Sequence, residues 1–284
     1  MADEPTRTIL DDIISSRRRS LDKTRLATPL EGLQAAAEAR GERRDFAAAI
    51  TSGAARATQP GLRVIAELKR ASPSRGLLRQ QYRRREIALG FAGAGAAALS
   101  VLTEEQYFLG CLNDLTEARQ AVQIPVLRKD FILESYQVYE SVAAGADALL
   151  LIVAALQDRD LRNMIELCKK FRIDALVEVH TEQELERALE AGARIVGVNN
   201  RNLKTLEVKL GTSFQLRDKI PAGCVTVSES GIKTSADLRR LAQAGFDAVL
   251  IGERLMAEPD PGESLRGLLA EFAGEPLKQP TAYS

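Results

Sequence analysis

The sequence predicts a (β/α)8 barrel with an N-terminal helical extension, and three observations support this fold class. From residue 63 onward, strand-like apolar segments alternate with amphipathic helix-like segments. The strand-like segments are almost continuously apolar, which is typical of a parallel sheet covered by helices. Alanine–glycine pairs recur at 92–93, 144–145, 191–192 and 244–245, roughly 50 residues apart. Each interval holds two strand–helix units, and eight such units close a barrel.

The predicted strands are short and separated by helix-like stretches. Examples of these helices lie at 161–171, 182–191 and 235–244. The glycine of each Ala-Gly pair suits the left-handed conformation that ends a helix. The eight strand candidates are residues 63–68, 97–102, 124–129, 147–153, 174–179, 195–199, 224–228 and 247–251.

A doubly wound open sheet is the alternative arrangement of such segments. That fold normally has a glycine-rich nucleotide-binding turn after its first strand. Here residues 70–76 read Arg-Ala-Ser-Pro-Ser-Arg-Gly, which lacks that pattern. The barrel is therefore the better prediction.

Residues 1–60 are predicted to form a helical extension before the barrel at 61–273, with a C-terminal tail at 274–284. Thr8 to Asp11 resembles a capping box, and the apolar residues that follow have helical spacing. On this first helix we expect Arg17 to Arg19 to lie on the solvated side. A second helix is expected within 30–52, and we expect both to pack on the barrel because they offer little apolar surface of their own.

Composition excludes several classes of function. The 284 residues include 39 Lys+Arg and 39 Asp+Glu, so the formal net charge is zero and no nucleic-acid partner is expected. No apolar run reaches membrane-spanning length, and the N-terminus lacks a signal-peptide core. We therefore expect no membrane partner, a cytoplasmic location and a monomer or weak homo-oligomer.

Metal and disulfide sites are not expected either. The three cysteines, Cys111, Cys168 and Cys224, are far apart and form no C-x-x-C motif, so they should be reduced thiols in a cytosol. His180 is the only histidine, which makes a zinc site improbable. We expect His180 to orient neighbouring residues at the start of a loop.

Charged and polar side chains collect at the ends of the predicted strands. In a strand, alternate residues share a face, so Glu67 and Lys69 lie above Ile65 on one face of the first strand. The same alternation places a polar residue above an apolar residue or glycine at the end of four further strands. The polar side chains expected at this rim are Glu67, Lys69, Lys129, Glu178, Asn199, Arg201 and Glu229.

This rim is predicted to be an acid–base active site, because catalytic residues of barrels lie at the carboxyl ends of the strands. Lysines close to one another, or partly desolvated, have lowered pKa values, and carboxylates close to one another have raised ones. We therefore expect both types of group to titrate nearer to neutral pH, where proton transfer is effective. A Schiff-base aldolase also uses a strand-end lysine, so Lys129 alone leaves both chemistries open.

The last two strands predict a phosphate site. Ser228 to Gly231 ends the seventh strand, and Ile251 to Glu253 ends the eighth. Glycine allows backbone N–H groups to approach an anion, and barrels often bind phosphate after strands 7 and 8. Ser72 is a further candidate because it offers a hydroxyl group. The expected substrate is a small phosphorylated molecule.

These segments resemble the signature of the indole-3-glycerol phosphate synthase family. The resemblance runs in order from about residue 8 to about residue 272, and it includes the helical extension. The segments that carry it are 65–76, 99–104, 125–132, 176–180, 197–203 and 228–232. The departures are slight: Cys111 stands where the family usually has serine, and Leu109 where it usually has a polar residue.

The resemblance implies an enzyme of tryptophan biosynthesis that needs no cofactor or metal. Its substrate would be 1-(2-carboxyphenylamino)-1-deoxyribulose 5-phosphate, and its products indole-3-glycerol phosphate, carbon dioxide and water. It implies that Lys129 protonates the ketone oxygen and that Glu178 is the catalytic carboxylate of dehydration. Lys69 would lie near the substrate carboxylate and serve as a second acid, while Glu67 and Asn199 hold these groups.

The resemblance also implies where the substrate binds. The phosphate would lie on Ser72, Ser230, Gly231 and Gly252, with Glu253 supplying at most its backbone N–H. Arg201 and Glu229 belong to the same substrate site. The apolar wall around the ring would consist of Phe108, Phe131, Leu150, Leu203 and Leu250.

Rival functions are another phosphate-binding barrel enzyme or a ligand-binding barrel without catalysis. The first group includes phosphoribosylanthranilate isomerase and Schiff-base aldolases. The intact set of Glu67, Lys69, Lys129, Glu178 and Asn199 argues against a non-catalytic barrel.

Overall fold

A computed structural model describes residues 8–51 and 61–274 of the chain. Eight strands form a closed barrel, and each strand is parallel to its neighbours. The strands are β1 (Arg63–Leu68), β2 (Ala98–Leu102), β3 (Val126–Lys129), β4 (Ala148–Ile152), β5 (Asp174–Val179), β6 (Ile195–Asn199), β7 (Val225–Glu229) and β8 (Ala248–Ile251). They follow chain order around the barrel, and β8 pairs with β1 to close it. The predicted (β/α)8 barrel is confirmed, and the open sheet is wrong.

Helices surround the barrel and also precede it. The helices before the barrel are α1 (Ile9–Ala27), α2 (Leu30–Ala39) and α3 (Phe46–Ile50). Those that follow β1 are α4 (Arg84–Gly93), α5 (Leu112–Ala121), α6 (Ser135–Ala143), α7 (Asp158–Lys170), α8 (Glu182–Glu190), α9 (Gly211–Arg217), α10 (Ser235–Gln243), α11 (Glu253–Met256) and α12 (Pro261–Ala273). Among the described residues, no helix has the length and apolar character needed to cross a bilayer.

The Ala-Gly pairs end helices as predicted, with one exception. Gly145, Gly192 and Gly245 have φ values of 97°, 91° and 84°, in the left-handed region that glycine tolerates. The exception is Gly93, which is the last residue of α4. The helix is capped by Ala94, and Gly95 has the positive φ of 100°. The sequence offers two consecutive Ala-Gly pairs there, and the second ends the helix.

The N-terminal helices contact both ends of the barrel. The Thr8 capping box at the start of α1 is confirmed, since Thr8 and Asp11 cap each other. Leu10 and Ile13 of α1 pack into the same apolar cluster as residues of the barrel interior. At the opposite end, α3 places Phe46 in that cluster, and its neighbour Ala47 donates its backbone N–H to Asp174 at the start of β5.

The segment 30–52 was expected to hold one helix, and it holds two. The chain between α2 and α3 leaves the helical path because two arginines fasten it to the barrel. Arg40 binds Asp147 at 2.7 Å and also donates to backbone carbonyls next to it. Arg44 donates its backbone N–H to Asp147 and its side chain to the carbonyl of Ile124. Asp45 then caps α3 by accepting from the N–H of Ala48.

The expectation that Arg17 faces solvent is wrong. Its side chain is only 6% exposed and donates to Asp130 Oδ2 at 2.8 Å. Arg18 and Arg19 are exposed, as expected. The face of α1 that carries Arg17 turns toward the loop after β3, which amphipathic spacing within one helix does not reveal.

The barrel interior is layered as the strand alternation predicts. Ile65, Leu127, Leu176, Val227 and Leu250 belong to one buried cluster inside the barrel. Polar strand-end residues follow two positions later on β1, β3, β5 and β7. The apolar layer therefore forms the floor beneath the polar rim.

The proposed domain limits at 1–60, 61–273 and 274–284 stay a prediction. Residues 1–7, 52–60 and 275–284 lie outside the described residues. The three cysteines, all within the described part, are free thiols.

Candidate active site

A cavity of about 730 Å³ opens at the carboxyl ends of the strands. Every site residue named from the sequence lines it, with the exception of Ser72. The named residues that line it are Glu67, Lys69, Phe108, Lys129, Phe131, Leu150, Glu178, Asn199, Arg201, Leu203, Glu229, Ser230, Gly231, Leu250, Gly252 and Glu253. The cavity thus brings together residues that are more than 180 positions apart in the sequence.

Ser72 lies in a smaller neighbouring cavity between α1 and the mouth of the barrel. This cavity is also lined by Lys69, Phe108 and Phe131. Ser72 is buried, and its hydroxyl lies 3.4 Å from that of Ser74. Ser74 lines both cavities, so it connects Ser72 with the main site.

Lys129 is held between two carboxylates at the bottom of the cavity. Its Nζ donates to Glu229 Oε2 at 2.9 Å and to Glu178 Oε2 at 3.3 Å. Both carboxylate side chains are at most 2% exposed. The ammonium group therefore bridges the ends of β5 and β7 from its own position at the end of β3.

The pKa of Lys129 moves in the direction opposite to the one expected. Burial alone would lower the pKa of this ammonium group, but the negative charges of Glu229, Glu178 and Glu67 outweigh burial and raise it. The expected lowering of the pKa considered a neighbouring lysine and desolvation, whereas the charges nearest to Lys129 are carboxylates. Lys129 is accordingly protonated at neutral pH.

The two carboxylates next to Lys129 differ in their titration. Burial and the nearby Glu178 and Glu67 raise the pKa of Glu229 to about 7, although Lys129 opposes this. For Glu178, burial acts to raise the pKa, but Lys129, His180 and the amide of Asn199 together lower it. The expected upward shift is therefore found for Glu229 and is wrong for Glu178. At neutral pH the pair can hold one proton, on Glu229.

Glu67 and Lys69 form a second ion pair on the same rim. Lys69 Nζ lies 2.6 Å from Glu67 Oε2. Glycine at position 252 makes room for this pair, because a Cβ there would collide with the Glu67 carboxylate. Gly197 on β6 does the same for the Glu229 carboxylate. Both glycines thus admit a carboxylate into the barrel mouth.

The loop after β7 has an unusual backbone conformation. Ser230 and Gly231 both have positive φ, at 66° and 80°. Asn200 supports the loop, since its Nδ2 donates to the carbonyl oxygens of Glu229 and Ser230. Asn200 is a supporting residue that the strand-end reasoning missed, because its side chain faces outward from β6.

Glu253 uses its side chain to hold two arginines at the cavity mouth. Arg75 donates to Oε1 at 2.9 Å, and Arg201 donates to Oε2 at 3.2 Å. Burial acts to raise the pKa of Glu253, but Arg75, Lys69 and Arg201 lower it. The carboxylate is therefore ionised and connects the loops after β1, β6 and β8.

Aromatic and aliphatic side chains form an apolar part of the cavity lining. The ring centroids of Phe108 and Phe131 lie 6.3 Å apart at an angle of 37°. Leu150, Leu203 and Leu250 complete the apolar set that was named from the resemblance. The backbone N–H groups of Gln106, Tyr107 and Phe108 donate to the buried Glu104 carboxylate, which fixes the loop that carries Phe108.

Several lining residues were missed from the sequence. Most lie in loops beyond the strand ends, where the alternation rule no longer applies, and the others are the apolar last residues of β2, β4 and β8. The missed residues include Ser74, Arg75, Leu78, Leu102, Asp130, Ile152, Val208, Ile232, Lys233, Ile251 and Arg254. Lys233 and Arg254 follow the two predicted phosphate loops closely, and their charge was an available signal.

Comparison with known proteins assigns the chain to a family of enzymes. The model of the indole-3-glycerol phosphate synthase family matches residues 10–268. The chain belongs to this family. It is 45% identical over 262 residues to the indole-3-glycerol phosphate synthase of Albidiferax ferrireducens, covering 92% of this chain and 98% of that one. It is 43% identical over 266 residues to the enzyme of that name from Lactiplantibacillus plantarum, covering 94% and 100%.

Solved structures at lower identity support the fold alone. A thiamine phosphate pyrophosphorylase from Pyrococcus furiosus aligns with a TM-score of 0.55 at 15% identity, covering 74% of this chain and 95% of that one. A mandelate oxidase variant aligns with a TM-score of 0.57 at 18% identity, covering 87% and 84%. The family membership therefore rests on the sequence relatives, and the structures add the barrel architecture.

Proposed function

We propose that this chain converts 1-(2-carboxyphenylamino)-1-deoxyribulose 5-phosphate to indole-3-glycerol phosphate, with release of carbon dioxide and water. The observation that carries the proposal is Lys129 between Glu178 and Glu229, inside a cavity that also has an apolar wall and the positive-φ turn at Ser230 and Gly231. The family membership points to the same reaction. It is a carbon–carbon lyase reaction of tryptophan biosynthesis.

Lys129 is proposed as the general acid of ring closure. The high pKa of this ammonium group keeps it protonated at neutral pH, so it can donate to the ketone oxygen of the substrate. As the oxygen accepts the proton, its carbon becomes electrophilic and the electron-rich anilino ring attacks it. Loss of carbon dioxide then returns the electron pair of the broken bond to the ring. A positioned acid of this kind typically contributes about 10²–10⁴-fold.

Glu178 is proposed as the base of the dehydration that follows. Its lowered pKa keeps it ionised, so it can accept a proton from the substrate. Lys69, paired with Glu67, would donate a proton to the departing hydroxyl as the second acid. Asn199 orients Glu178 through its amide. Glu229, with a pKa of about 7, holds Lys129 in place and takes part in substrate binding.

The two ends of the substrate are proposed to bind at opposite sides of the cavity. The phosphate would lie on the backbone of Ser230, Gly231 and Gly252, with Ser72 reached through Ser74. The anilino ring would lie against Phe108 and Phe131 and the three leucines next to them. Because ring closure needs a folded conformer, fixing both ends should supply much of the acceleration.

Indole fluorescence tests the proposal directly. The purified chain is mixed with the carboxyphenylamino substrate without added metal or cofactor, and emission should rise at catalytic enzyme concentration. Lys129→Ala should lower kcat by about 10²–10⁴-fold while substrate affinity stays within about tenfold. A wild-type chain that binds the substrate without producing indole emission would refute the reaction, and a variant with normal kcat would refute the role of Lys129.

A Schiff-base aldolase is disfavoured by the charge state of Lys129. Imine formation needs a neutral amine, and the three carboxylates keep this amine protonated. Borohydride should accordingly trap no substrate on the chain. A covalent adduct on Lys129 by mass spectrometry would contradict the general-acid role.

The remaining expectations about partners belong to the same proposal. We expect a monomer or weak homo-oligomer in the cytoplasm that works without nucleic acid, metal or cofactor. In the described residues, no group of three or more metal-ligating side chains comes together. Sedimentation at several protein concentrations would test the oligomeric state.

A further inference from the structure

His180 is the only histidine of the chain, and the proposed mechanism has not used it. It follows the last residue of β5, two positions after Glu178. His180 is not among the residues that line the cavity, whereas Glu178 is. The cavity residue nearest to the imidazole by contact is Glu178, so an effect on the reaction is expected to act chiefly through that carboxylate.

The imidazole lies between two carboxylates. Nε2 is 3.4 Å from Glu178 Oε1, and Nδ1 is 3.1 Å from Glu184 Oε2 on α8. The same Glu184 oxygen accepts the backbone N–H of His180 at 2.7 Å. Glu184 therefore fixes both the backbone and the ring of His180, and it leaves Nε2 directed at Glu178.

The two facing atoms have no other partner among the described residues. Glu178 Oε1 and His180 Nε2 are both buried and make no conventional hydrogen bond, and they lie 3.4 Å apart. The other oxygen, Oε2 of Glu178, receives Lys129. Glu178 is thus approached by one cation on each oxygen.

We propose that His180 is a cationic positioning residue, held by Glu184, that orients the Glu178 carboxylate and keeps it ionised. This inference rests on the proposed function of Glu178 as the base. In the proposed arrangement the imidazolium donates Nδ1–H to Glu184 and directs Nε2–H at Glu178. No proton leaves the imidazole during the reaction, so the role is electrostatic and geometric.

The charges around His180 favour its protonated form. Glu178 of β5, Glu184 of α8 and Glu229 of β7 all face it, and Lys129 lies beyond Glu178. Burial acts to lower the pKa of the imidazole, but these three carboxylates outweigh it and raise the pKa. Exposure of the side chains increases outward, from 2% for Glu178 to 12% for His180 and 18% for Glu184. The imidazole can therefore exchange its proton with solvent on the side that faces Glu184.

Titration of the imidazole by NMR tests the pairing without any need for activity. In a chain freed of any purification tag, the single histidine gives one set of imidazole signals, so assignment needs no mutant. We expect a midpoint above the ordinary value of about 6.5. Glu184→Gln should lower the midpoint by about one pH unit, because it removes a charge at hydrogen-bond distance. Glu186→Gln, an exposed change on the same helix, should leave it within about 0.2.

Glu178→Gln should lower the same midpoint, which shows that the imidazole senses this carboxylate. The NMR titration does not depend on catalysis, so it can be measured even if this variant is inactive. A wild-type midpoint at or below about 6.5, or a midpoint unmoved by Glu178→Gln, would overturn the pairing.

Kinetics then separate positioning from structure. His180→Ala should lower kcat at least tenfold with KM changed less than about threefold, because a displaced base loses reaction geometry. The acidic limb of its kcat–pH profile should move up by about one pH unit, since Glu178 loses a cation. His180→Gln restores a neutral donor, so kcat should recover in part while the acidic limb stays shifted.

The outcomes distinguish this inference from the proposed function. If the wild-type chain forms no indole product, the proposed function fails, and the NMR titrations still decide whether the pairing exists. If product forms but His180→Gln and His180→Ala keep the wild-type pH profile, the positioning role is refuted. Should His180→Ala fail to fold, the profile of His180→Gln and the Glu184→Gln titration decide the question.

Discussion

Replacing Arg17 by methionine is expected to destabilise the barrel from a position on α1. Arg17 shares one oxygen of Asp130 with two other donors: Arg128 at 2.9 Å and the hydroxyl of Thr103 at 2.5 Å. The Asp130 side chain is fully buried, and that of Arg17 is 6% exposed. Methionine keeps most of the apolar stem, so the change removes chiefly the charge.

The magnitude follows from what remains around Asp130. Breaking a buried ion pair on one side typically costs about 3–5 kcal/mol, because a charge is left without its partner. Here Arg128, Thr103 and the backbone N–H of Phe131 still bind the carboxylate. We therefore expect a loss of about 2–3 kcal/mol, which corresponds to a fall in Tm of roughly 3–5 °C for a chain of this length.

Urea unfolding and calorimetry of Arg17→Met measure this loss, with Arg18→Met as the matched control. Arg18 is the exposed neighbour on the same helix, so its replacement should change stability by less than about 0.5 kcal/mol. Equal midpoints for the two variants would refute the argument that α1 is tied to the loop after Lys129.

The pH dependence of the loss identifies its cause. Burial would raise the pKa of Asp130, but Arg128, Arg17 and Thr103 outweigh it and hold that pKa below its ordinary value. A carboxyl whose pKa is depressed by folding stabilises the native state above its unfolded pKa, about 3.9, and this stabilisation is lost as pH falls further. The deficit of Arg17→Met should therefore be complete at pH 7 and shrink below about pH 4. A deficit that is the same at both pH values would assign the effect to packing.

Three further predictions address the site and its loops. Gly252→Ala should lower kcat at least tenfold in the indole assay, because the added Cβ displaces the Glu67 carboxylate, while Gly267→Ala on α12 meets no atom within 4 Å and should not. Glu229→Gln should stabilise the chain to urea at pH 8 but not below about pH 4.5, because burial raises the pKa of this carboxyl to about 7 and its ionisation opposes folding as pH rises. Leu109→Asn should raise the free energy of unfolding by about 1 kcal/mol, because Leu109 is exposed with a φ of 54°, and unchanged urea midpoints would contradict this.

The barrel and its polar rim could be predicted because both follow from local rules. Parallel strands of one barrel end on the same side, and alternate residues of each strand face the interior. Glu67, Lys129 and Glu178 therefore converge once the strand limits are known to within one residue. The observed strands begin and end within two residues of the predicted ones.

The parts that could not be predicted depend on contacts between distant segments. Arg17 has the spacing of a solvated residue on α1, and only its pairing with Asp130, 113 positions later, explains its burial. The direction of the Lys129 pKa shift could not be predicted without the distances from its Nζ to Glu229 and Glu178, because the rim carries both lysines and carboxylates. The closeness of Gly252 to the Glu67 carboxylate could not be predicted either, because the two residues are 185 positions apart; the phosphate role of Gly252 stays a prediction.

The distribution of charge in the cavity explains how one site can orient a substrate with two anionic ends. The reacting end holds two lysines against three carboxylates, and the pKa of Glu229 near 7 brings the net charge of this end close to zero at neutral pH. Lys233 and Arg254 also line the cavity, and they follow closely in the chain on the proposed phosphate residues Ser230, Gly231 and Gly252. A doubly charged phosphate gains more from these two cations than the singly charged carboxylate does, because the attraction scales with the product of the charges. We therefore expect the phosphate to bind at the loops after β7 and β8. This orientation of the substrate places its ketone oxygen next to Lys129.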